Sequence, residues 1–160
     1  MGLTRLGGWS FAVLRTPAYG PSMSDDSMQR NLILILARDL TSRLANPAAV
    51  VDAEGTLVYF NEAAEPVLGR TYAEAGELRA REWAAAMDPR DASGDPIPLE
   101  ELPLGVAFRE GRPTHRALRI TGGDGVVRHV ESTAIPLCPR EGLILGAVAL
   151  FWERRQDPDE

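Results

Sequence analysis

Between Met28 and Leu44 the apolar residues fall at helical spacing, with Met28, Leu32, Ile35 or Leu36, Leu40 and Leu44 on one stripe. The pattern predicts a helix that covers a core with that stripe. Ser24-Asp25-Asp26-Ser27 offers N-caps, and its aspartates suit the positive helix end. Asn46-Pro47 ends the helix, because a residue before proline resists helical geometry. Ile33, Leu34 and Ala37 add apolar surface on other faces. A surface helix needs only one stripe, so the surplus predicts a second contact, most simply another copy of the same helix. Met28, Leu32, Ile33, Leu36 and Leu40 are the candidate contact residues.

After the helix the period changes. Ala48 to Asp52 and Leu57 to Asn61 read as strands joined by the turn Asp52-Ala53-Glu54-Gly55. Asn61 can cap a helix over Glu62 to Leu68, which Gly69 would end. Tyr72 to Ala75 reads as one helical turn and Leu78 to Met87 as a helix carrying Trp83. Asp88 to Pro98 is rich in Pro, Gly and Asp and reads as a loop. A helix over Leu99 to Arg109 closes at Gly111. Three strands follow, Thr114 to Ile120, Val126 to Leu137 and Leu143 to Trp152. Gly122-Gly123-Asp124-Gly125 and Pro139-Arg140-Glu141-Gly142 turn them. Hairpin links imply an antiparallel sheet, and segregated helices imply an α+β fold. The expected division is a disordered extension over 1–24, a flanking helix over 25–45, a domain over 46–153 and a charged tail over 154–160. The start of the strong pattern makes Met23 a rival to Met1 as the first residue.

Composition narrows the function classes. The 160 residues suit one domain with a real core. Seventeen basic against 23 acidic residues give a net charge of −6, which argues against nucleic-acid binding. Every basic residue is an arginine, scattered rather than clustered. No apolar run approaches the roughly 20 residues of a membrane span. A single cysteine, Cys138, excludes an internal disulfide and suits a reducing cytoplasm.

The order of helix, two strands, short helices and three strands resembles a PAS domain. Val51-Asp52-Ala53-Glu54-Gly55-Thr56-Leu57 through Asn61-Glu62-Ala63-Ala64-Glu65 resembles the family's opening D-x-x-G-x-(I/L)-x-x-x-N-x-A-A-E. Val67-Leu68-Gly69-Arg70 resembles the x-L-G-(Y/R) that follows. Asp91 through Pro103 resembles the D-x-x-G-x-P-(I/L)-P-x-E-E-x-P stretch of one subgroup. Asp124-Gly125, Arg128, Val130, Pro136-Leu137 and Gly146-Ala147-Val148 resemble the closing strands. The likeness covers residues 45–153. It implies a PAS fold, with a five-stranded antiparallel sheet, short helices on one face and an N-terminal helix. Where many relatives carry Asp-(I/V)-Thr leading to an output domain, this chain has Phe151-Trp152-Glu153-Arg154-Arg155. The resemblance therefore implies a bacterial signalling module that acts by touching another chain. That chain is a second copy or a separate partner such as a kinase or transcription regulator.

The resemblance also implies where a small apolar ligand would sit, between the inner sheet face and the short helices. Phe60, Leu68, Trp83, Met87, Leu104, Phe108, Leu118, Ile120, Val130, Ser132 and Ala134 are the candidate lining residues. A filled core would use the same residue types, so a ligand-free dimerisation module stands beside the sensor. The resemblance argues against heme, since the helix over Leu99 to Arg109 has no histidine and His115 and His129 fall on strands. It argues against a covalent flavin photoadduct, since the region Leu78 to Met87 has no cysteine. The ligand itself is left unspecified. Adjacent carboxylates at Glu100-Glu101 and Asp25-Asp26 do not face each other on a helix, so no acid–base pair is visible. Phosphate loops open helices, whereas Gly122 to Gly125 lies between strands. No metal site and no enzymatic activity are expected.

Overall fold

The computed structural model describes residues 23–154. Most of the expected extension and tail falls outside these residues; Met23 and Ser24 already belong to the first helix, and Arg154 of the tail donates its backbone N–H to the His129 carbonyl at 2.7 Å. This helix, α1, runs Met23–Ser42, so Ser24 and Ser27 lie within it instead of capping it. Strands β1 (Ala48–Asp52) and β2 (Leu57–Phe60) form the first hairpin. A 3-10 turn at Glu62–Ala64 leads into α2 (Glu65–Leu68), then α3 (Tyr72–Ala75) and α4 (Ala80–Met87). A second 3-10 turn at Leu99–Glu101 precedes α5 (Pro103–Glu110). Strands β3 (Thr114–Thr121), β4 (Val127–Leu137) and β5 (Gly146–Glu153) close the chain.

The five strands form one antiparallel sheet in the order β2-β1-β5-β4-β3. Both chain-terminal strands of the domain thus meet in the centre, where β1 pairs with β5. Helices α4 and α5 pack on the inner face, and α1 packs against β1 and β2 from the other side. The core lies between the inner face and the short helices, around Val51, Leu57, Phe60, Leu68, Trp83, Leu118, Val130 and Phe151.

Leu57 and Phe60 both enter that core, although residues three apart should face opposite sides of a strand. A shift in pairing reconciles them: Val50 faces Tyr59, whereas Val51 faces Leu57. Val58 is the extra residue of a bulge, and its carbonyl accepts the Tyr72 hydroxyl at 2.6 Å. Beside it, Leu57 exchanges two backbone hydrogen bonds with Leu78, at 2.7 and 3.2 Å. This pairing makes Leu78 extended and delays α4 to Ala80. At the opposite edge Arg90 pairs with Arg119 of β3 in the same way, at 2.9 and 2.8 Å. The expected helix over Leu99 to Arg109 is broken at Leu102, whose ψ of 154° is extended because Pro103 follows.

The face that α1 presents to the sheet is the reverse of the sequence expectation. Ala37 and Thr41 are buried and Ile33, Leu34 and Leu44 half-buried. Met28, Leu32, Ile35, Leu36 and Leu40 remain between 54% and 69% exposed. The reason lies in the sheet. Beneath α1 are Ala48, Val50 and Gly146, a low surface that small side chains approach closely. A Cβ on Gly146 would stand 2.5 Å from the Val51 carbonyl oxygen and 3.1 Å from Leu34 Cδ2. Arg30 reaches Glu54 at 3.3 Å, and the Arg38 guanidinium lies 4.8 Å from the centre of the Tyr59 ring.

Candidate functional site

A cavity of about 80 Å³ lies at the centre of the core. Strand β4 turns Val130 and Ser132 into it, as expected from alternation. Strand β3 contributes Leu118 and Ile120. Leu68 ends α2, Trp83 and Met87 come from α4, and Leu104 comes from α5. These candidates therefore line one pocket. Three others do not line it. Phe60 borders a separate cleft of about 10 Å³ with Leu78 and Ala86. Phe108 lines an outer groove. Ala134 is fully buried in β4, opposite Ala149.

The lining also includes Ala49 and Val51 of β1, Leu57 of β2, Ala149 and Phe151 of β5, Pro89 and Leu102 from the loops, and Pro103 at the start of α5. The strand residues carried a usable signal. Alternation in β1 and β5 marks Ala49, Val51, Ala149 and Phe151 as one face, and the central strands border any space in the core. Pro89 and Leu102 depend on loop geometry and carried none.

Chemically the cavity is almost wholly apolar. Ser132 supplies its only polar side chain, and no ionisable residue lines it. Its volume is about 80 Å³, and an apolar lining of this kind gives a water few partners. A typical small-molecule site is roughly 300–1,000 Å³. Trp83 forms part of the wall, and its indole N–H donates to the Gly55 carbonyl at 3.0 Å. Gly55 occupies the tight turn between β1 and β2 with φ of +80°, where glycine carries no side-chain strain.

The titratable groups that depart from ordinary behaviour lie elsewhere. Burial raises the Tyr72 hydroxyl pKa at the β2 edge, with Glu77 adding to the effect. Hydrogen bonds from Arg128 hold the Asp124 carboxyl well below the usual carboxylate range, in the turn between β3 and β4. His115 and His129 are exposed on the sheet, and Cys138 is exposed beyond β4. The His115 ring stacks on Trp152 with centroids 5.9 Å apart, and its Nδ1 lies 2.8 Å from Thr133 Oγ1. Among the described residues, no group of histidine, cysteine and carboxylate side chains is arranged to hold a metal ion. No described helix is long and apolar enough to cross a membrane.

A helix-flanked antiparallel sheet in this strand order, with a small cavity under its short helices, defines a PAS domain. A family profile described as PAS fold matches residues 25–157, and the chain belongs to that family. Members of the family are sensory and signalling modules. No curated protein sequence matches the chain significantly. Among solved structures, the PAS domain of Bordetella pertussis BvgS is 22% identical. That match covers 77% of this chain and 86% of that one, with a TM-score of 0.51. A PAS domain from Colwellia psychrerythraea is 17% identical over 76% of this chain and 97% of its own, with a TM-score of 0.55. The Rhodobacter sphaeroides LOV protein reaches a TM-score of 0.62 at 15% identity, over 82% of this chain and 71% of its own. At these identities the shared feature is the fold.

Proposed function

We propose that this chain is a non-catalytic regulatory module of cytoplasmic signal transduction that works by contact with another chain, most simply a second copy of itself. The observation that carries this reading is the apolar stripe of α1. Met28, Leu32, Ile35, Leu36 and Leu40 are all exposed on one helix, while the opposite face already packs on the sheet. Large apolar patches on soluble proteins mark interaction sites. Burying one such side chain fully stabilises an interface by about 1.5–3 kcal/mol. Of the five residues expected at the contact, Met28, Leu32, Leu36 and Leu40 lie on this stripe. Ile33 is half-buried on the flank facing the sheet and is the least suited to reach a partner. Light scattering on the chain and on Leu36→Glu tests the reading. A dimer that becomes a monomer with unchanged melting temperature supports it. A wild-type chain that stays monomeric at high micromolar concentration removes self-association and directs the search to a kinase or transcription regulator.

A second reading is favoured by the cavity. A small, uncharged ligand held beneath α4 and α5 would make the module a sensor. The apolar lining with one hydroxyl supports this chemistry. Native mass spectrometry followed by denaturing extraction tests it, with a co-purifying small molecule as the supporting result.

A further inference from the structure

An outer groove of about 420 Å³ runs between the β1–β2 turn, α4 and α5. Its volume falls in the ordinary range for small-molecule sites, unlike that of the inner cavity. Val51, Trp83 and Leu104 line both spaces, so a single layer of side chains separates them. Two of these three are held by packing alone. Trp83 is also pinned, by the one hydrogen bond from its indole to Gly55 in the turn. We infer that the groove is the entrance to the inner cavity, that Trp83 is its gate, and that the joined site takes an uncharged, largely apolar small molecule. This inference rests on the ligand reading above.

The ligand class follows from where charge is placed. Glu54, Glu100 and Arg109 border the groove, whereas the inner lining has no ionisable group. A charged group moved inward would lose its water without gaining a partner. An apolar body can cross, and a single hydroxyl or carbonyl on it can reach Ser132. The gate also joins ligand entry to a turn that touches α1 through an exposed ion pair. Gly55 neighbours Glu54, which pairs with Arg30 of α1 at 3.3 Å. Swinging Trp83 away from Gly55 frees the carbonyl of that turn.

Two probes separate the gate from the ligand. Xenon, monitored by 129Xe exchange spectroscopy, reports passage into the cavity whatever the natural ligand is. 1-Naphthol, monitored by NMR titration, reports accommodation of a larger apolar molecule. Trp83→Phe removes the indole hydrogen bond, and xenon exchange should rise about tenfold. Ala80→Phe obstructs the groove from its rim beside Gly55, outside the cavity lining, and should slow exchange. Ala149→Leu fills the inner cavity and should abolish binding of both probes. Xenon exchange that is unchanged in both Trp83→Phe and Ala80→Phe overturns the gate, even if 1-naphthol binds. Binding of 1-naphthol to Ala149→Leu as tightly as to the parent places it in the groove alone and also overturns the inference. Gated xenon passage without 1-naphthol binding supports the gate and counts against the ligand reading.

Discussion

The side-chain amide of Asn61 donates to the Thr41 carbonyl across the α1–sheet junction, at 2.9 Å. It also donates to Asn46 at 2.9 Å and to Leu44 at 3.3 Å, collecting carbonyls from the end of α1 and the link after it. Its oxygen accepts from Ala48 of β1 at 2.9 Å and from Ala64 at 3.1 Å. One buried side chain therefore joins α1, β1 and the start of the short helices. Asn61→Ala leaves several buried backbone groups without partners, each costing about 1–3 kcal/mol. Urea unfolding should show a loss of about 3 kcal/mol or more. Asn61→Asp keeps the acceptor but sets a second buried oxygen against the Thr41, Leu44 and Asn46 carbonyls, so at neutral pH it should destabilise at least as much as alanine.

The reversed face of α1 predicts an inverted mutational pattern. Leu34→Ala should destabilise the fold by about 1–3 kcal/mol, because Leu34 packs toward Gly146. Leu36→Ala lies on the exposed stripe and should change the stability of an isolated protomer by no more than about 0.5 kcal/mol. Equal losses measured under dilute conditions would return α1 to the orientation expected from its longest side chains.

Gly146 predicts a cost for one added methyl group. In Gly146→Ala the new carbon meets the Val51 carbonyl, a backbone atom that cannot turn aside. Overpacking of this kind costs about 1–3 kcal/mol. The shift should appear in the amide resonances of Leu34 and Ala37 on α1 as well as in thermal melting.

Asp124 predicts an acid limb in stability. Its carboxyl is held low in the folded state by Arg128, with hydrogen bonds of 2.6 and 2.9 Å. A depressed carboxylate contributes stability that is present above its unfolded pKa of about 3.9 and lost as pH falls toward the folded value. Arg128→Ala should therefore flatten the decline in melting temperature below about pH 4, with little change in its slope near neutrality. An unaltered acid limb would assign the loss to other carboxylates.

Much of the fold was legible because its signals are local. Strand alternation placed Val130 and Ser132 on the inner face, and glycine marked the ends of α2 and α5. The turn at Gly122 to Gly125 followed from its composition, and the Gly122 N–H indeed donates to Val126 at 2.9 Å. The orientation of α1 was not legible, because apolar residues lie almost all round it and the small-residue surface that selects one face is about 100 residues away at Gly146. Phe60 and Leu57 share a face only through the bulge at Val58, which the hydrophobic pattern does not announce. The candidate site was legible where it lies on β3 and β4. It was incomplete where β1 and β5 supply the cavity wall, and Phe108, half-buried against the core, borders the groove instead of the cavity.

Tyr72 and Leu78 occupy the rim of β2, and the backbone of Arg90 interrupts the rim of β3. Strand-to-strand growth meets an interruption at each border, whereas the stripe on α1 lies on a helix. A contact through such a face is exhausted once two copies have met, while a bare strand border would keep recruiting. Under the proposed α1 contact, the stoichiometry of an assembly is bounded by hydrogen bonds made inside a single chain.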